Sequence, residues 1–492
     1  MSANHQPISI DGIAYNQLKI EKKPITPEYV RRDPELVPKA NRTVVVNPAR
    51  TCMPFGAMFA GLGMHRGLPF VQGAQGCTTY VRYTFCRIFQ EPASIANASF
   101  HEDAAVFGGR KNFIEGMRNL IVRYHPDVVT VVTTCSSEII GDDMVSFIKA
   151  ARKRLITELG EEDGSRPKLV LVNTPSFAGS HIVGYDRASR AFLETLAQDH
   201  SKPNNRINII PGMVMPGDVR EIKHLLREMG VDAYTLFDIS DVFDTPLMPP
   251  QTLPYYPEGG TRITEVEDMG NSMATFALCQ NEGGLGARYL EQKFEIPAFI
   301  GPMPMGVRST DLFLKRVSEV TGKEISKSLK DERGRLLDFM ADTLHHTMMK
   351  RVAIFGDPDI ATGITRFACE LGMEPVAVMS GTKTKTFTAD IEGIVAESGA
   401  KPLILNGSDL FEFEESLKAM PVPVDVLIGN SKGADIAKEL QVPLVRAGLF
   451  VYDRVGYHKR PVIGYRGGER LLADLVNAIM DFSYPEERTQ QL

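Results

Sequence analysis

"VVTVVTTCSSEIIGDD", Val128 to Asp143, decides how the chain is read. Its run of β-branched residues suits a strand buried on both faces of a sheet. The run stops at Thr133, Thr134 and Cys135, and Ser136, Ser137 and Glu138 open a helical pattern of the capping type. A buried strand feeding a helix is half of a βαβ unit. Cys135 then stands at the carboxyl end of its strand, where open α/β sheets gather their ligands.

The same alternation extends outward from this stretch. "KLVLVNTPS" (168–176), "RINIIPGM" (206–213), "AYTLFD" (233–238), "PAFIGPMPMG" (297–306), "RVAIFGDPD" (351–359), "PVAVMSG" (375–381), "PLILNGSD" (402–409), "VDVLIGNS" (424–431) and "PLVRAG" (443–448) read as buried strands. Amphipathic helical stripes such as "DLFLKRVSEV" and "ADIAKEL" lie between them. The expected class is α/β with doubly wound parallel sheets. At 492 residues and 43% hydrophobic content the chain is long enough for about three domains. Polar connectors near Asn205 ("HSKPNNR") and Lys350 ("HHTMMKR") suggest the breaks, giving blocks 47–205, 206–350 and 351–492. Residues 1–46 are polar and proline-marked, and read as an arm lying on something else.

Composition removes several function classes. Lys+Arg 55 against Asp+Glu 61 gives a net charge of -6, without a basic stripe, so nucleic acid is not an expected partner. No window approaches the roughly 20 apolar residues of a membrane span. The start lacks the pattern of a signal peptide, and a cytoplasmic protein is expected. Six cysteines in so long a chain do not make a disulfide framework.

A lone cysteine is more often a small buried hydrophobe than a ligand. Cys135, however, has two counterparts: Cys52 in "NPARTCMPFGA" and Cys77 in "VQGAQGCTTYVR". All three stand where a strand or loop meets a helix N-terminus, which favours the thiolate and places them for a lowered pKa. Gly73, Ala74 and Gly76 before Cys77 remove bulk that would keep backbone amides from a sulfur-bridged cluster. Thiolates in this number select iron–sulfur or zinc. Structural zinc sites show C-x₂₋₄-C pairs, and none occurs. Three thiolates fall short of the four a small cluster takes, so another residue type or another chain must complete the set. Cys86, Cys279 and Cys369 sit among apolar or helical neighbours and read as core or helix-face thiols.

Other motifs fade. No phosphate-cradling G-x-x-x-x-G-K-[ST] is present, so the chain alone should not hydrolyse ATP. Asp359 in "FGDPD" reads as a helix cap, and "HED" (101–103) as a capped or salt-bridged helix start. His345 and His346 are adjacent on a helix and point apart.

Together, "NPARTCMPFGA", "GAQGCTTYVR", "HEDAAVFGG", "TTCSSEIIGDD", "NTPSFAGSHIVGYD", "DPDIATGITRFACELGMEPV", "IGNSKG" and "PVIGYRGG" resemble, in the same order, the β subunit of the catalytic component of nitrogenases and their relatives. The resemblance implies three doubly wound Rossmann-like domains with parallel sheets, and an α2β2 heterotetramer with an α subunit. It implies an [8Fe-7S] P-cluster shared across the α–β seam, an ATP-hydrolysing [4Fe-4S] iron protein that feeds it, and a catalytic iron–sulfur cofactor held in the α subunit. Residue by residue, Cys52, Cys77 and Cys135 match the three β-side thiolates, and Ser176 matches a serine that binds a cluster iron on oxidation. Phe107 matches the aromatic on which the iron protein docks. Tyr80 matches a tyrosine between cluster and cofactor, and Glu91 a carboxylate at a β–β cation site. Arg308 and Ser309 depart from the acidic partners of that cation. With Trp 0, an unusual arm and core motifs like those of the iron-only and vanadium forms, the chain looks most like the nitrogenase-like methylthio-alkane reductases, which cleave C–S bonds to a thiol and a hydrocarbon. Dinitrogen reduction is the alternative within the family. A metallocluster-assembly scaffold is the alternative from another class.

Overall fold

The computed structural model describes residues 44–199, 202–247 and 255–483, with two short strands before them. In the unit Met1–Val45, Ser9–Ile10 pairs antiparallel with Ile13–Ala14. What the arm lies on falls outside the described residues.

Residues 46–492 form one compact unit that carries three parallel sheets, one within each block read from the sequence. The first is ordered Ala96–Asn97, Gly67–Gln72, Val128–Thr133, Lys168–Val172. The second is ordered Ala298–Ile300, Ala274–Ala277, Ile207–Ile210, Ala233–Thr235. The third runs Leu403–Asn406, Glu374–Ser380, Arg351–Gly356, Val426–Gly429, Leu444–Arg446. Each order reverses direction in its middle, the mark of a doubly wound sheet. In the first sheet the reversal lies between Gly67–Gln72 and Val128–Thr133, the strands that lead to Cys77 and Cys135.

Every strand named from the sequence is present. In the parallel sheets three strands were not named, Gly67–Gln72, Ala96–Asn97 and Ala274–Ala277, nor was the pair Ser9–Ile10 and Ile13–Ala14. "GLPFVQ" carries a glycine and a proline that normally argue against a buried strand. Pro69 is accommodated because the neighbouring strand Ala96–Asn97 reaches only Phe70 and Val71, leaving no strand beside Pro69 on that side.

The helix Met53–Leu62 is buried at all ten residues, as its unbroken apolar composition requires. Phe55 and Phe59 pack into a ring cluster with Phe85, Phe89 and Phe243, the last two stacked at 4.2 Å. This joins the first block to the second. The helix Gly464–Ser483 joins the third block to the second, where Asp218 accepts from the backbone amides of Val462 and Ile463 at 2.7 and 3.2 Å. Among the described residues no helix is long and apolar enough to cross a membrane.

Helices Met53–Leu62 and His181–Leu196 meet backbone to backbone. A Cβ on Gly56 would lie 1.8 Å from the His181 carbonyl oxygen, and one on Gly184 1.9 Å from that of Met53. Neither glycine admits a side chain, so the start of the Cys52 helix is held against its neighbour. Gly184→Ala is therefore expected to destabilise by about 3 kcal/mol or more through overpacking. Gly334→Ala, on an exposed helix face with nothing within 4 Å of the added Cβ, is expected to stabilise by roughly 0.5–1 kcal/mol. Thermal unfolding of the two variants at one scan rate checks both signs; equal melting temperatures would remove the close approach as a constraint.

Candidate metal centre

The Thr133–Thr134 step fixes the position of Cys135. The Thr134 hydroxyl donates to the Gln72 carbonyl at 2.9 Å, tying the ends of the two central strands together. The Thr134 amide donates to Ser137 Oγ at 2.9 Å, which caps the helix Cys135–Ile140. Thr133 Oγ1 donates to Glu138 at 2.5 Å and accepts from the Thr174 amide at 2.7 Å, while Thr174 Oγ1 donates to the Thr133 carbonyl at 2.6 Å. One strand end thus anchors both the Cys135 helix and the turn Ser176–Ala178.

Cys77 lies in the first turn of the helix Gln75–Phe89, its amide 3.2 Å from the Ala74 carbonyl. Gly73 has a different purpose from the one read in the sequence. A Cβ there would come within 2.3 Å of the Thr134 hydroxyl, so this glycine lets the Cys77 and Cys135 loops touch. Gly76 has nothing within 4 Å of its missing Cβ and leaves the open approach expected beside Cys77. Cys52 occupies the N-cap of Met53–Leu62 and forms an antiparallel bridge with Ser180, just past Ser176. Tyr80 is half exposed, with its OH 3.2 Å from Thr51 Oγ1, so it links the Cys52 loop to the Cys77 helix. The four candidate ligands therefore come together at the carboxyl edge of the first sheet, at its switch point.

The thiols differ from expectation in one respect. Burial pushes Cys52 up, and the neighbouring Cys135 adds to the shift. Burial also pushes Cys77 up, followed by Cys52 and Cys135. For these two, loss of water outweighs the helix N-terminus that the sequence suggested would lower them. A bound metal reverses this balance, because its own positive charge is the largest in such a site. Among the described residues, the three sulfurs do not form a group with all ligand atoms within 4.8 Å of one another. Tetrahedral zinc at about 2.3 Å from each sulfur would hold them roughly 3.8 Å apart. Three thiols, a nearby hydroxyl and an open glycine face therefore fit a multi-iron cluster better than a single zinc ion.

Beside this edge, Phe107 ends the helix Glu102–Phe107 and is 86% exposed. Val106 and Ile139 are also exposed, and Ile139 belongs to the same short helix as Cys135. Asp142 ties the patch to the cysteines: it accepts from the Gly109 amide at 3.1 Å and from Gln72 Nε2 at 2.9 Å. Asp142 was in the opening stretch, but no local signal gave it this role. His101, Glu102 and Asp103 form a helix start. Tyr83 and Phe177 extend the exposed apolar surface around the cysteines.

The remaining candidates separate. Cys279 is fully buried, Cys369 partly so, and Cys86 lies on an exposed helix face. Asp359 does not cap its own helix; it accepts from the Gln280 and Asn281 amides at 2.6 and 3.0 Å, with burial pushing it to about 6. Burial also raises Glu91, followed by Asp244. Arg308 is ion-paired with Glu397, and Ser309 is buried.

Doubly wound sheets with thiols gathered at a switch point define the class, an α/β protein with a candidate metal centre. The chain belongs to the family described as nitrogenase component 1 type oxidoreductase, which matches residues 52–480. It is 47% identical over 449 residues to the nitrogenase molybdenum-iron protein beta chain of Methanococcus maripaludis (91% of this chain, 96% of the relative). It is 39% identical over 461 residues to the nitrogenase vanadium-iron protein beta chain of Trichormus variabilis (92% and 98%). The solved structure "Nitrogenase Cp1 at pH 6.5" superposes with a TM-score of 0.87 at 37% identity, covering 92% of this chain and 97% of that one.

The Thr133–Thr174 pair yields a direct test. Thr174→Val keeps the shape but leaves the buried Thr133 carbonyl without its partner, an expected loss of about 1–3 kcal/mol. Thr195→Val removes a comparable hydroxyl bond to Ala191 on the exposed face of its helix and is expected to change stability by no more than about 0.5 kcal/mol. Thermal unfolding of both variants checks this; equal shifts would show that the sheet edge is not specially anchored.

Proposed function

We propose that this chain is the β subunit of a nitrogenase-type reductase, in which Cys52, Cys77 and Cys135 hold half of an [8Fe-7S] P-cluster at the seam with an α subunit. The observation that carries this reading is the meeting of three thiols from three separate helix starts at one switch point, beside exposed Tyr80, Tyr83 and Phe177. Ser176, on the adjoining turn, is the proposed oxygen ligand. When bound, such a cluster accepts and passes on electrons. The chain's residues hold the thiolates in place, keep water from Cys52 and present the surface that a partner covers. Phe107, with Val106 and Ile139, is the proposed landing surface for an ATP-hydrolysing [4Fe-4S] iron protein, because an exposed aromatic anchor is what a docking partner needs. The catalytic cofactor belongs to the α subunit of an α2β2 assembly. Blocks 47–205, 206–350 and 351–492 are proposed as three domains, each supported by its own sheet, and the cytoplasm as the location.

On substrate, dinitrogen reduction to ammonia is supported by the likeness to chains that are named nitrogenase beta chains, a molybdenum-iron one at 47% identity and a vanadium-iron one at 39%. Reductive C–S cleavage of methylthio-alkanes is the second reading, supported by the absence of tryptophan and the unusual arm.

Two outcomes are expected. Cys52→Ala, Cys77→Ala and Cys135→Ala each deplete iron in the purified αβ complex and loosen its association, whereas Cys279→Ala leaves iron unchanged; full iron in all three ligand variants would end the cluster assignment. In a side-by-side assay with iron protein, ATP and a strong reductant, ammonia from dinitrogen exceeds methanethiol from a methylthio-alkane. Thiol release without ammonia would establish the second reading, and full iron with neither product would point to an assembly scaffold.

A further inference from the structure

A second cluster of metal-ligating side chains lies away from the thiols, in the second block. Glu221 and His224 are three residues apart on the helix Pro216–Glu228, and so share one face. Glu332 reaches them from the helix Lys327–Thr347. One ligand atom from each of the three lies within 4.8 Å of the others. His224 Nε2 and Glu332 Oε1 are 2.8 Å apart. Glu221 is 3% exposed and Glu332 6%. The helix Gly464–Ser483 walls the group with bare backbone: a Cβ on Gly464 would come within 3.0 Å of Glu221 Oε1.

An ordinary buried ion pair accounts for only part of this arrangement. The His224–Glu332 contact uses one oxygen of Glu332, and half-exposed Arg466 lies 3.4 Å from Glu221 Oε2. Two oxygens, Glu221 Oε1 and Glu332 Oε2, are buried without any hydrogen-bond partner. Buried carboxylate oxygens are almost always satisfied. Two orphans in one group, next to an imidazole, call for a cation that several of them share.

We propose that Glu221, His224 and Glu332 bind one divalent metal ion. The chemistry of the donors narrows its class. Two carboxylates and an imidazole, without a thiol, suit Fe²⁺, Mn²⁺ or Zn²⁺ rather than the soft clusters that thiolates select. A Glu-x-x-His pair on one helix facing a Glu on another is also how helix pairs build carboxylate metal sites. The ion would clamp the helices Pro216–Glu228 and Lys327–Thr347 to each other beside the helix Gly464–Ser483. Arg466, exposed enough to swing aside, is the group that yields.

Mn²⁺ is the probe, because its spectrum is distinct from that of cluster iron. The αβ complex is stripped with a chelator, desalted and titrated with Mn²⁺ while free Mn²⁺ is read by electron paramagnetic resonance. Wild type is expected to take up one Mn²⁺ per chain, displaceable by Zn²⁺, and to melt at a higher temperature when loaded. Glu221→Gln and Glu332→Gln are expected to weaken uptake by at least about tenfold with cluster iron unchanged, which separates this site from the thiol site. Unaltered uptake in both variants overturns the proposal. So does the absence of uptake by wild type at millimolar Mn²⁺, a result that decides the question even if the variants fail to assemble.

Discussion

The site depends on a single constraint, the locking of the Val128–Thr133 strand end to both of its parallel neighbours. Thr134 holds the Gln72 carbonyl on one side, and Thr133 exchanges two hydrogen bonds with Thr174 on the other. The segments that follow Gly67–Gln72, Val128–Thr133 and Lys168–Val172 thereby leave the sheet from one rigid edge. Because parallel strands send their connecting segments off the same end, Cys77, Cys135 and Ser176 have to appear together. Cys52 joins them through its bridge to Ser180 and the glycine contact between its helix and His181–Leu196.

That rigidity also bears on the proposed electron relay. Cys135 and exposed Ile139 lie on the same six-residue helix, four residues or about 6 Å of helix rise apart, so the proposed landing surface and a proposed cluster thiol share one element. Asp142 braces the same distance from the other side by joining Gly109 to Gln72. The proposed docking surface and the proposed ligand set are thus tied to each other through one short helix and one carboxylate.

Much of this was legible in the sequence, for identifiable reasons. Strands buried on both faces are β-branched and announce themselves, and turn-placed cysteines stand out because thiols are rare. "GLPFVQ" was missed because its proline is tolerated only through a short neighbouring strand, a fact of sheet order. The direction of the Cys52 and Cys77 shifts was misread because burial depends on what the fold piles around a helix start, whereas the helix dipole can be anticipated from spacing. Gly73 was read as room for a ligand, yet it makes room for Thr134, 61 positions later in the chain and adjacent only across the sheet. Glu332 approaches His224 across 108 positions, and nothing local in "DERG" marks it. The likeness to vanadium and iron-only forms rested on a few short motifs. Over the aligned length a molybdenum-iron and a vanadium-iron relative stand at the same 39% identity, so identity does not choose among the metal forms.

The central claim is that the carboxyl edge of the first sheet carries iron. An anomalous-scattering map at the iron edge, collected on crystals of the αβ complex, tests it most directly. The account predicts a compact group of iron peaks at the seam, bonded by Cys52, Cys77 and Cys135 on this chain's side and adjoining Ser176. Iron found only elsewhere in the complex, with these three sulfurs bonded to nothing, would contradict it.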